Sequence, residues 1–350
     1  MKVIPTPFLK AFLFIASLIL LIIIGSSSTS LQALEILNLD SSSDPLVHDE
    51  AFIQLINKYA KTWQAGKSKF FEGKRLSHAR RLIGLGLPTP EQRASYPKKN
   101  SLMMGEEANS LEKYLVKMDA LPDSYNAAND SNYYMCQQLH RIRNQEQCGS
   151  CWAFSISEMV ADRFCIGTRG KINTIMSPQW MVSCDTADNG CNGGEFPTAF
   201  QFVETTGLVS DGCVPYQSGN GFVPPCPNSC TNGEDINVRY RTKNSRNFDV
   251  NDMKSVQASI LANGPVISGF KVYRDFYNYR SGVYKHVAGG LVGGHAIKVV
   301  GWGVTQSNVP YWIVANSWSD EWGMNGYFWI LRGTNECSIE ENMWETIPAL

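Results

Sequence analysis

The sequence has 350 residues, of which 43% are hydrophobic and 18% are charged. This composition is typical of a globular protein with a sizeable core, and it excludes a chain that is disordered throughout. The formal net charge is −1, so the chain lacks the overall positive charge on which general nucleic-acid binding depends. Residues 1–120 have a net charge of +4 and residues 121–350 of −5, so the basic N-terminal part is expected to complement an acidic remainder.

Residues 1–33 are predicted to form a secretory signal peptide. Lys2 and Lys10 precede an apolar run from Ala11 to Ile24, and small polar residues follow it. The run has 14 residues, whereas a membrane-spanning helix needs about 20. We therefore favour a signal cleaved near Ala33 over an uncleaved anchor, and expect no membrane attachment after cleavage. The mature chain then enters an oxidising compartment, in which cysteines normally pair.

The segment up to residue 120 is predicted to begin with helices and to end as a linker. Apolar residues recur at helical spacing within residues 47–60, and a second short helix is predicted from Leu76 to Leu85. Residues 86–110 are rich in Pro, Lys, Glu, Ser and Asn, which predicts an exposed linker open to proteolysis. We place the main boundary near Ala120–Leu121, because cysteines, glycine pairs and tryptophans become dense beyond it.

Beyond this boundary a helical half is predicted to precede a β half. Residues Ser150 to Cys165 predict a helix buried along one side, with Ser150 as its N-cap. After residue 265, short apolar runs bounded by Gly, Pro or Asn predict strands. These runs are Ala296–Val300, Tyr311–Ala315 and Tyr327–Ile330.

The pair Cys148-Gly-Ser-Cys151 is the first candidate for chemistry, and taken alone it allows several interpretations. A thioredoxin-like redox site would use the first cysteine as nucleophile. A zinc site would need a second such pair, but Cys226 and Cys230 are separated by three residues. A thiol hydrolase would use Cys151 as nucleophile and Cys148 as a disulfide partner. The remaining possibility is that both cysteines are only crosslinks.

The rest of the chain favours the thiol hydrolase. His295 follows a glycine pair just ahead of a predicted strand, and Asn316 ends another strand in the sequence Asn-Ser-Trp. Together with the sequence Gln145-Glu-Gln-Cys-Gly-Ser-Cys-Trp, these residues resemble the papain-like cysteine peptidases, and most closely their cathepsin B group. The resemblance covers nearly everything after residue 120, and the sequence Thr62-Trp-Gln-Ala-Gly is similar to the short cathepsin B propeptide.

The resemblance implies a role for each residue of the catalytic set. Cys151 at a helix N-terminus would form a thiolate–imidazolium pair with His295, which later protonates the leaving amine. Asn316 would orient the imidazole, and Trp318 would shield that hydrogen bond from water. Gln145 and the Cys151 backbone N–H would stabilise the oxyanion.

The resemblance also implies the substrate-binding residues and the disulfides. The implied substrate-binding residues are Gly193, Gly194, Glu195, Phe196, Ala296, Trp318, Trp322 and Asn342, although a turn for the glycine pair and a core position for Trp322 are the plainer alternatives. The implied disulfides are Cys136–Cys165, Cys148–Cys191, Cys184–Cys226 and Cys213–Cys230. Cys337 would then be a buried free thiol. No metal and no cofactor are expected.

Three departures from the cathepsin B pattern bear on function. Glu146 stands where the family usually has Gly, close to the implied oxyanion site; an effect on the Gln145 loop or on the working pH is open, and activity is still expected. Only 16 residues separate Cys213 from Cys230, and none is the His that would bind a substrate's C-terminal carboxylate. Asn342 stands where cathepsin B has a Glu that accepts Arg at P2. We therefore predict an endopeptidase that prefers apolar P2 residues.

The expected fold is the two-domain papain-like α+β body, with a helical left domain, a β-barrel-like right domain and the active-site cleft between them. Residues 34–120 would be an inhibitory propeptide and residues 121–350 the peptidase domain. Peptides and proteins are the expected substrates of a monomer that reaches a lysosome or digestive vacuole, or is secreted. Three alternative functions remain: an inactive peptide-binding paralogue, a disulfide-rich binding module, and a redox protein with a reversible Cys148–Cys151 bond. Glu146 is the feature that favours the first of them.

Overall fold

The computed structural model describes residues 44–97 and 121–350, so the predicted signal peptide and residues 98–110 of the predicted linker lie outside the described residues. Contacts divide the chain into two units, Met1–Pro45 and Leu46–Leu350, and the second holds the elements described here. Its α-helices are α1 Glu50–Tyr59, α2 Leu76–Arg80, α3 Pro90–Ser95, α4 Cys151–Gly167, α5 Pro178–Cys184, α6 Phe196–Thr205 and α7 Met253–Asn263.

A single nine-stranded sheet organises the described β residues. Its strands are β1 Trp63–Ala65, β2 Tyr125–Asn126, β3 Thr242–Asn247, β4 Val266–Tyr273, β5 Tyr279–Tyr284, β6 Leu291–Val304, β7 Pro310–Ala315, β8 Tyr327–Leu331 and β9 Met343–Pro348. The strand order is β1-β5-β8-β7-β6-β4-β9-β3, and β2 pairs with β6. All pairs are antiparallel except β5 with β8. The predicted helical half followed by a β half is confirmed.

Residues 46–97 pack onto residues 121–350 as part of the same unit. Helix α1 begins at its N-cap Asp49, whose carboxylate accepts from the Phe52 N–H at 2.9 Å, and it buries one apolar face. Strand β1 extends the sheet by pairing with β5. The predicted second helix was too long. Helix α2 ends at Arg80, because the chain leaves it through a turn and residues 84–86 instead pair with Gly194 and Gly294.

Helix α4 is the central helix of residues 121–350. We predicted burial along one side, but every residue from Cys151 to Ile166 is buried. The reason is that α4 packs against helices α5 and α6 on one side and against strands β6 and β9 on the other. Ser150 precedes the helix as predicted, yet its side chain makes no capping hydrogen bond.

The four implied disulfides are all formed, namely Cys136–Cys165, Cys148–Cys191, Cys184–Cys226 and Cys213–Cys230. Cys151 and Cys337 are free thiols. Cys337 was expected to be buried, but it is partly exposed, because it lies in a turn where its own backbone has a left-handed φ of 50°.

Candidate active site

Cys151 and His295 meet where the helical half contacts the sheet. Cys151 is the first residue of α4, and His295 lies inside β6, paired with Phe270 of β4, rather than ahead of the strand as predicted. The backbone N–H of Ala296, the residue after His295, faces the Cys151 sulfur. Both side chains are completely buried. The fold thus brings a thiol at a helix N-terminus to the strand that carries the imidazole, where it faces the backbone of the residue after His295.

Asn316 and Trp318 hold the imidazole in place. The ring nitrogen Nε2 of His295 is 2.8 Å from the amide oxygen of Asn316. The indole of Trp318 lies over the imidazole, with a ring-centroid distance of 4.7 Å and an interplanar angle of 33°. The other ring nitrogen, Nδ1, has no hydrogen-bond partner among the described residues. It is therefore the nitrogen that remains available for a proton from the thiol.

Gln145 reaches the same place from the loop before α4. Its side-chain amide oxygen accepts a hydrogen bond from the Ser317 hydroxyl at 2.7 Å, so its Nε2 group is directed toward the nucleophile's surroundings. That Nε2 group donates to the carbonyl of Leu82 at 3.0 Å and to that of Cys148 at 2.7 Å. Sequence reasoning missed Ser317, although the neighbouring Asn316 and Trp318 pointed to this turn.

Residues 82–86 of the N-terminal segment form a cleft segment, of which residues 84–86 pair with both walls of the cleft. The Leu85 N–H donates to Gly294 and the Gly86 N–H donates to Gly194, both at 3.0 Å. Gly194 in turn donates to the Gly84 carbonyl at 2.9 Å. The Gly84 N–H faces the Cys151 sulfur. A backbone that bridges both walls of a groove is the geometry of an extended peptide bound by main-chain hydrogen bonds.

This occupied cleft keeps the nucleophile and the imidazole neutral. Burial raises the pKa of the Cys151 thiol to about 11, against the lowering effect of the surrounding backbone N–H groups. Burial also lowers the pKa of His295 to about 4, although the Asn316 amide oxygen and the Leu82 carbonyl favour the protonated ring. At pH values between these two, the covered site holds a thiol and a neutral imidazole.

The other implied substrate-binding residues fall into three groups. Gly193, Gly194, Phe196, Ala296 and Asn342 are all buried around the cleft segment, and Leu85 packs in the same apolar cluster as Phe196 and Ala296. Glu195 is exposed at the rim, beside Gly86. Trp322 is fully buried among the rings of Phe276, Tyr279, Trp318 and Phe328.

The Asn342 side chain lies against the Leu85 side chain at the base of the apolar pocket. Its amide oxygen accepts a hydrogen bond from the Trp344 indole at 3.1 Å. A Cβ placed on Gly269 would overlap both the Leu85 methyl group and the Asn342 amide nitrogen, so these two groups converge on the same glycine. The pocket therefore presents the donor end of the Asn342 amide and no carboxylate.

Glu146 turns its side chain to the surface rather than into the site. Its backbone has a left-handed φ of 52°, a conformation that explains why a glycine suits this position. The Glu146 side chain is exposed and lies against Gly219, away from the Gln145 amide. The Asn144 side chain accepts from the Glu146 N–H at 2.9 Å and supports the turn.

A buried thiol beside an imidazole, in a cleft between a helical half and a β half, defines a cysteine peptidase of papain-like fold. Residues 121–347 match the family model of the papain family cysteine proteases, and the chain belongs to this family. It is a hydrolase of the cathepsin B-like group, as the relatives below indicate.

Two curated relatives come from Caenorhabditis elegans. The chain is 39% identical to a cathepsin B-like cysteine proteinase 4 over 67% of this chain and 78% of the relative. It is 44% identical to a gut-specific cysteine proteinase over 59% of this chain and 68% of the relative. Among solved structures, procathepsin B S9 from Trypanosoma congolense has a TM-score of 0.76 and 31% identity, covering 87% of this chain and all of that one.

Proposed function

We propose that this chain is a cysteine endopeptidase that is made as an inactive secretory precursor. Support comes above all from one contact: Gln145 Nε2 donates to the Leu82 carbonyl at 3.0 Å, directly beside Cys151 and His295. A peptide carbonyl placed on a side-chain amide donor next to a thiol is what an acyl-transfer site needs. The N-terminal segment takes the place of a substrate and blocks the cleft.

The proposed reaction begins when the cleft segment leaves. Water then reaches Cys151 and His295, and the desolvation that favours their neutral forms is relieved. The thiol proton moves to His295 Nδ1, since Nε2 is held by Asn316. The α4 N-terminus stabilises the resulting thiolate.

The thiolate sulfur attacks the substrate carbonyl carbon, and the negative oxygen accepts hydrogen bonds from Gln145 Nε2 and the Cys151 backbone N–H. The carbon–nitrogen bond then breaks, and His295 gives its proton to the departing amine. Water, deprotonated by His295, attacks the thioester, releases the acid product and restores the thiol.

Residues 34–120 act as the propeptide in this proposal, and acid weakens their hold. Arg93 of α3 forms an ion pair with Glu341 of the peptidase domain. Burial raises the pKa of Glu341, but hydrogen bonds from Arg93 and its neighbours outweigh it, so the net pKa is lowered. The stabilisation from this ion pair is therefore present near neutral pH and is lost as pH falls through that lowered pKa.

The four disulfides of the peptidase domain support a route through an oxidising compartment. The name of the gut-specific relative supports a digestive vacuole, a lysosome or secretion as the destination. None of the described helices has both the length and the apolar character that a membrane crossing requires.

The function is tested by activating the precursor at acid pH and measuring cleavage of a fluorogenic peptide, with Cys151→Ala as the control. We expect turnover in the wild type and none in the variant. Gln145→Ala should lower kcat by roughly a hundredfold, because an oxyanion donor contributes about 3 kcal/mol to the transition state. Asn316→Ala should be milder than His295→Ala, because it loses the orientation of the base but keeps the base itself. Turnover retained by Cys151→Ala would refute the proposal.

A catalytically impaired peptide-binding paralogue is the alternative, and Glu146 is the observation in its favour. A thiol-directed peptidyl epoxide separates the two. An active enzyme is labelled at Cys151 after acid activation, whereas an impaired paralogue binds peptides but is not labelled.

A further inference from the structure

The loop that carries Gln145 is supported from outside the cleft by the segment between Cys213 and Cys230. The Tyr216 hydroxyl donates to the Gln145 backbone carbonyl at 2.8 Å. The Gln147 N–H donates to the Gly219 carbonyl at 2.8 Å, so two contacts bracket the loop. Residues 144–147 include the left-handed Glu146, which makes this loop one that needs outside support.

Tyr216 also explains why Ser150 does not cap helix α4. The Ser150 hydroxyl lies 2.9 Å from the Tyr216 hydroxyl. Since the Tyr216 proton is directed to the Gln145 carbonyl, the Ser150 hydroxyl donates to the Tyr216 oxygen. One phenol thus joins the Gln145 loop to the residue that precedes the nucleophile. Burial raises the pKa of Tyr216, so the phenol keeps its proton throughout the working range of a peptidase.

The tyrosine itself is held firmly on both sides. The Ser177 hydroxyl donates to the Val214 carbonyl at 2.5 Å. The Gln179 amide oxygen accepts from the Gln217 N–H at 2.8 Å and from the Ser218 N–H at 3.0 Å. The Tyr216 ring packs edge-on against Phe154 of α4, with centroids 4.7 Å apart. These anchors belong to helices α4 and α5, so the phenol is fixed relative to the nucleophile's own helix.

We propose that Tyr216 is a positioning residue for catalysis, which acts through Gln145 by fixing the loop that directs its Nε2 group at the oxyanion. The proposal rests on the proposed function of Gln145. The shortened Cys213–Cys230 segment lacks a carboxylate-binding His. In this proposal its function is to hold residues 144–147, the loop that carries Gln145. Ser317 fixes the side-chain end of Gln145, and Tyr216 fixes its backbone end.

The test is a double-mutant cycle with Tyr216→Phe, Gln145→Ala and the combined variant, all acid-activated. Tyr216→Phe keeps the ring and its contact with Phe154, so the fold is retained and a melting temperature checks this. We expect a kcat lowered roughly three- to tenfold, the effect of losing one neutral hydrogen bond, with KM changed less than twofold. In the Gln145→Ala background the same change should have no further effect on kcat.

Tyr240→Phe is the matched control. Tyr240 is also half-buried, its hydroxyl is 3.4 Å from that of Thr174, and its ring packs edge-on against Phe164. Its removal should leave kcat and KM unchanged.

Equal kcat for wild type and Tyr216→Phe would overturn this inference while leaving the proposed function intact. A loss of the same factor in the Gln145→Ala background would also overturn it, because the phenol would then act through Ser150 and Cys151. A wild type without Cys151-dependent turnover would overturn the proposed function and this inference together.

Discussion

Gly84 of the N-terminal segment lies against Gly149, two residues before the nucleophile, so closely that a Cβ on Gly84 would overlap the Gly149 carbonyl oxygen and carbon. Two glycines therefore allow the two backbones to touch at the centre of the cleft. The contact places the Gly84 N–H on the Cys151 sulfur. Any side chain at residue 84 must push the segment away from the nucleophile.

Gly84→Ala is accordingly expected to weaken inhibition by the propeptide. The overlap involves backbone atoms, which cannot rotate away, so the segment has to shift and lose its hydrogen bonds to Gly194 and Gly294. We expect the variant precursor to show peptidase activity at near-neutral pH and to activate faster at acid pH. Gly66→Ala is the control, since a Cβ there would meet Arg280 at an ordinary 3.6 Å. Indistinguishable activation rates for the two variants would contradict this prediction.

The second prediction concerns the reactivity of the Cys151 thiol before and after activation. With the pKa of Cys151 raised to about 11 and that of His295 lowered to about 4, the precursor has no thiolate in the physiological range. Its alkylation by iodoacetamide should stay slow from about pH 5 to 9 and rise only in alkali. The activated enzyme should react much faster, with a plateau that begins at acid pH.

Cys337 is the other free thiol, and burial raises its pKa as well, so it contributes little to the alkylation below alkaline pH. Peptide mapping of the alkylated residue, with Cys151→Ala as the control, separates the two. A precursor that reacts as fast as the activated enzyme would show that the cleft segment does not suppress the thiolate.

The sequence predicts residues whose side chains are reactive and stand in recognisable motifs. It does not predict residues whose role depends on a contact that only the fold creates. Cys151, His295 and Asn316 stand out because thiol, imidazole and amide occur in short motifs bounded by glycines and strands. Tyr216 carries no such signal, because its hydroxyl acts on a backbone carbonyl 71 positions away in the chain. Gly84 carries no sequence signal either, since its role follows from the absence of a side chain where it contacts the Gly149 backbone.

The third prediction concerns pH and the carboxyl pair Asp185 and Asp188, in the loop between two disulfides. Burial and then the charge of Asp188 raise the pKa of Asp185 to about 7. The Asp188 carboxylate accepts from the Glu195 N–H at 2.8 Å, and the Asn189 N–H binds Gly193, so this loop supports one wall of the cleft. Because the folded pKa is raised, stability from Asp185 is complete below about pH 4 and is lost as pH rises through 7.

Asp185→Asn in the activated Cys151→Ala enzyme should therefore flatten the fall of the unfolding free energy between pH 4 and 7. Urea unfolding at several pH values measures it, and Asp320→Asn, outside this loop, is the control. The same pH slope in Asp185→Asn and wild type would show that the carboxyl pair is not responsible.

The last prediction is specificity at P2, for which the resemblance implies the pocket of Phe196, Ala296 and Asn342 that Leu85 enters in the precursor. The Leu85 side chain fills an apolar pocket beside Phe196 and Ala296, and the base of that pocket is the Asn342 amide. The Asn342 oxygen is already bound to the Trp344 indole, so a guanidinium would meet an N–H donor and remain unpaired, which is costly when buried. Substrates with Leu or Phe at P2 should be cleaved at least tenfold more efficiently, in kcat/KM, than those with Arg. Asn342→Glu should reverse much of this difference, because its carboxylate can pair with the guanidinium. Glu195→Gln should leave the preference for Leu or Phe unchanged, because Glu195 lies exposed at the rim.

The same assay should show internal cleavage that does not depend on a free C-terminus, since no His lies between Cys213 and Cys230. Arg-Arg substrates cleaved as well as Phe-Arg would contradict the pocket argument, and stepwise release of dipeptides from free C-termini would contradict the endopeptidase proposal.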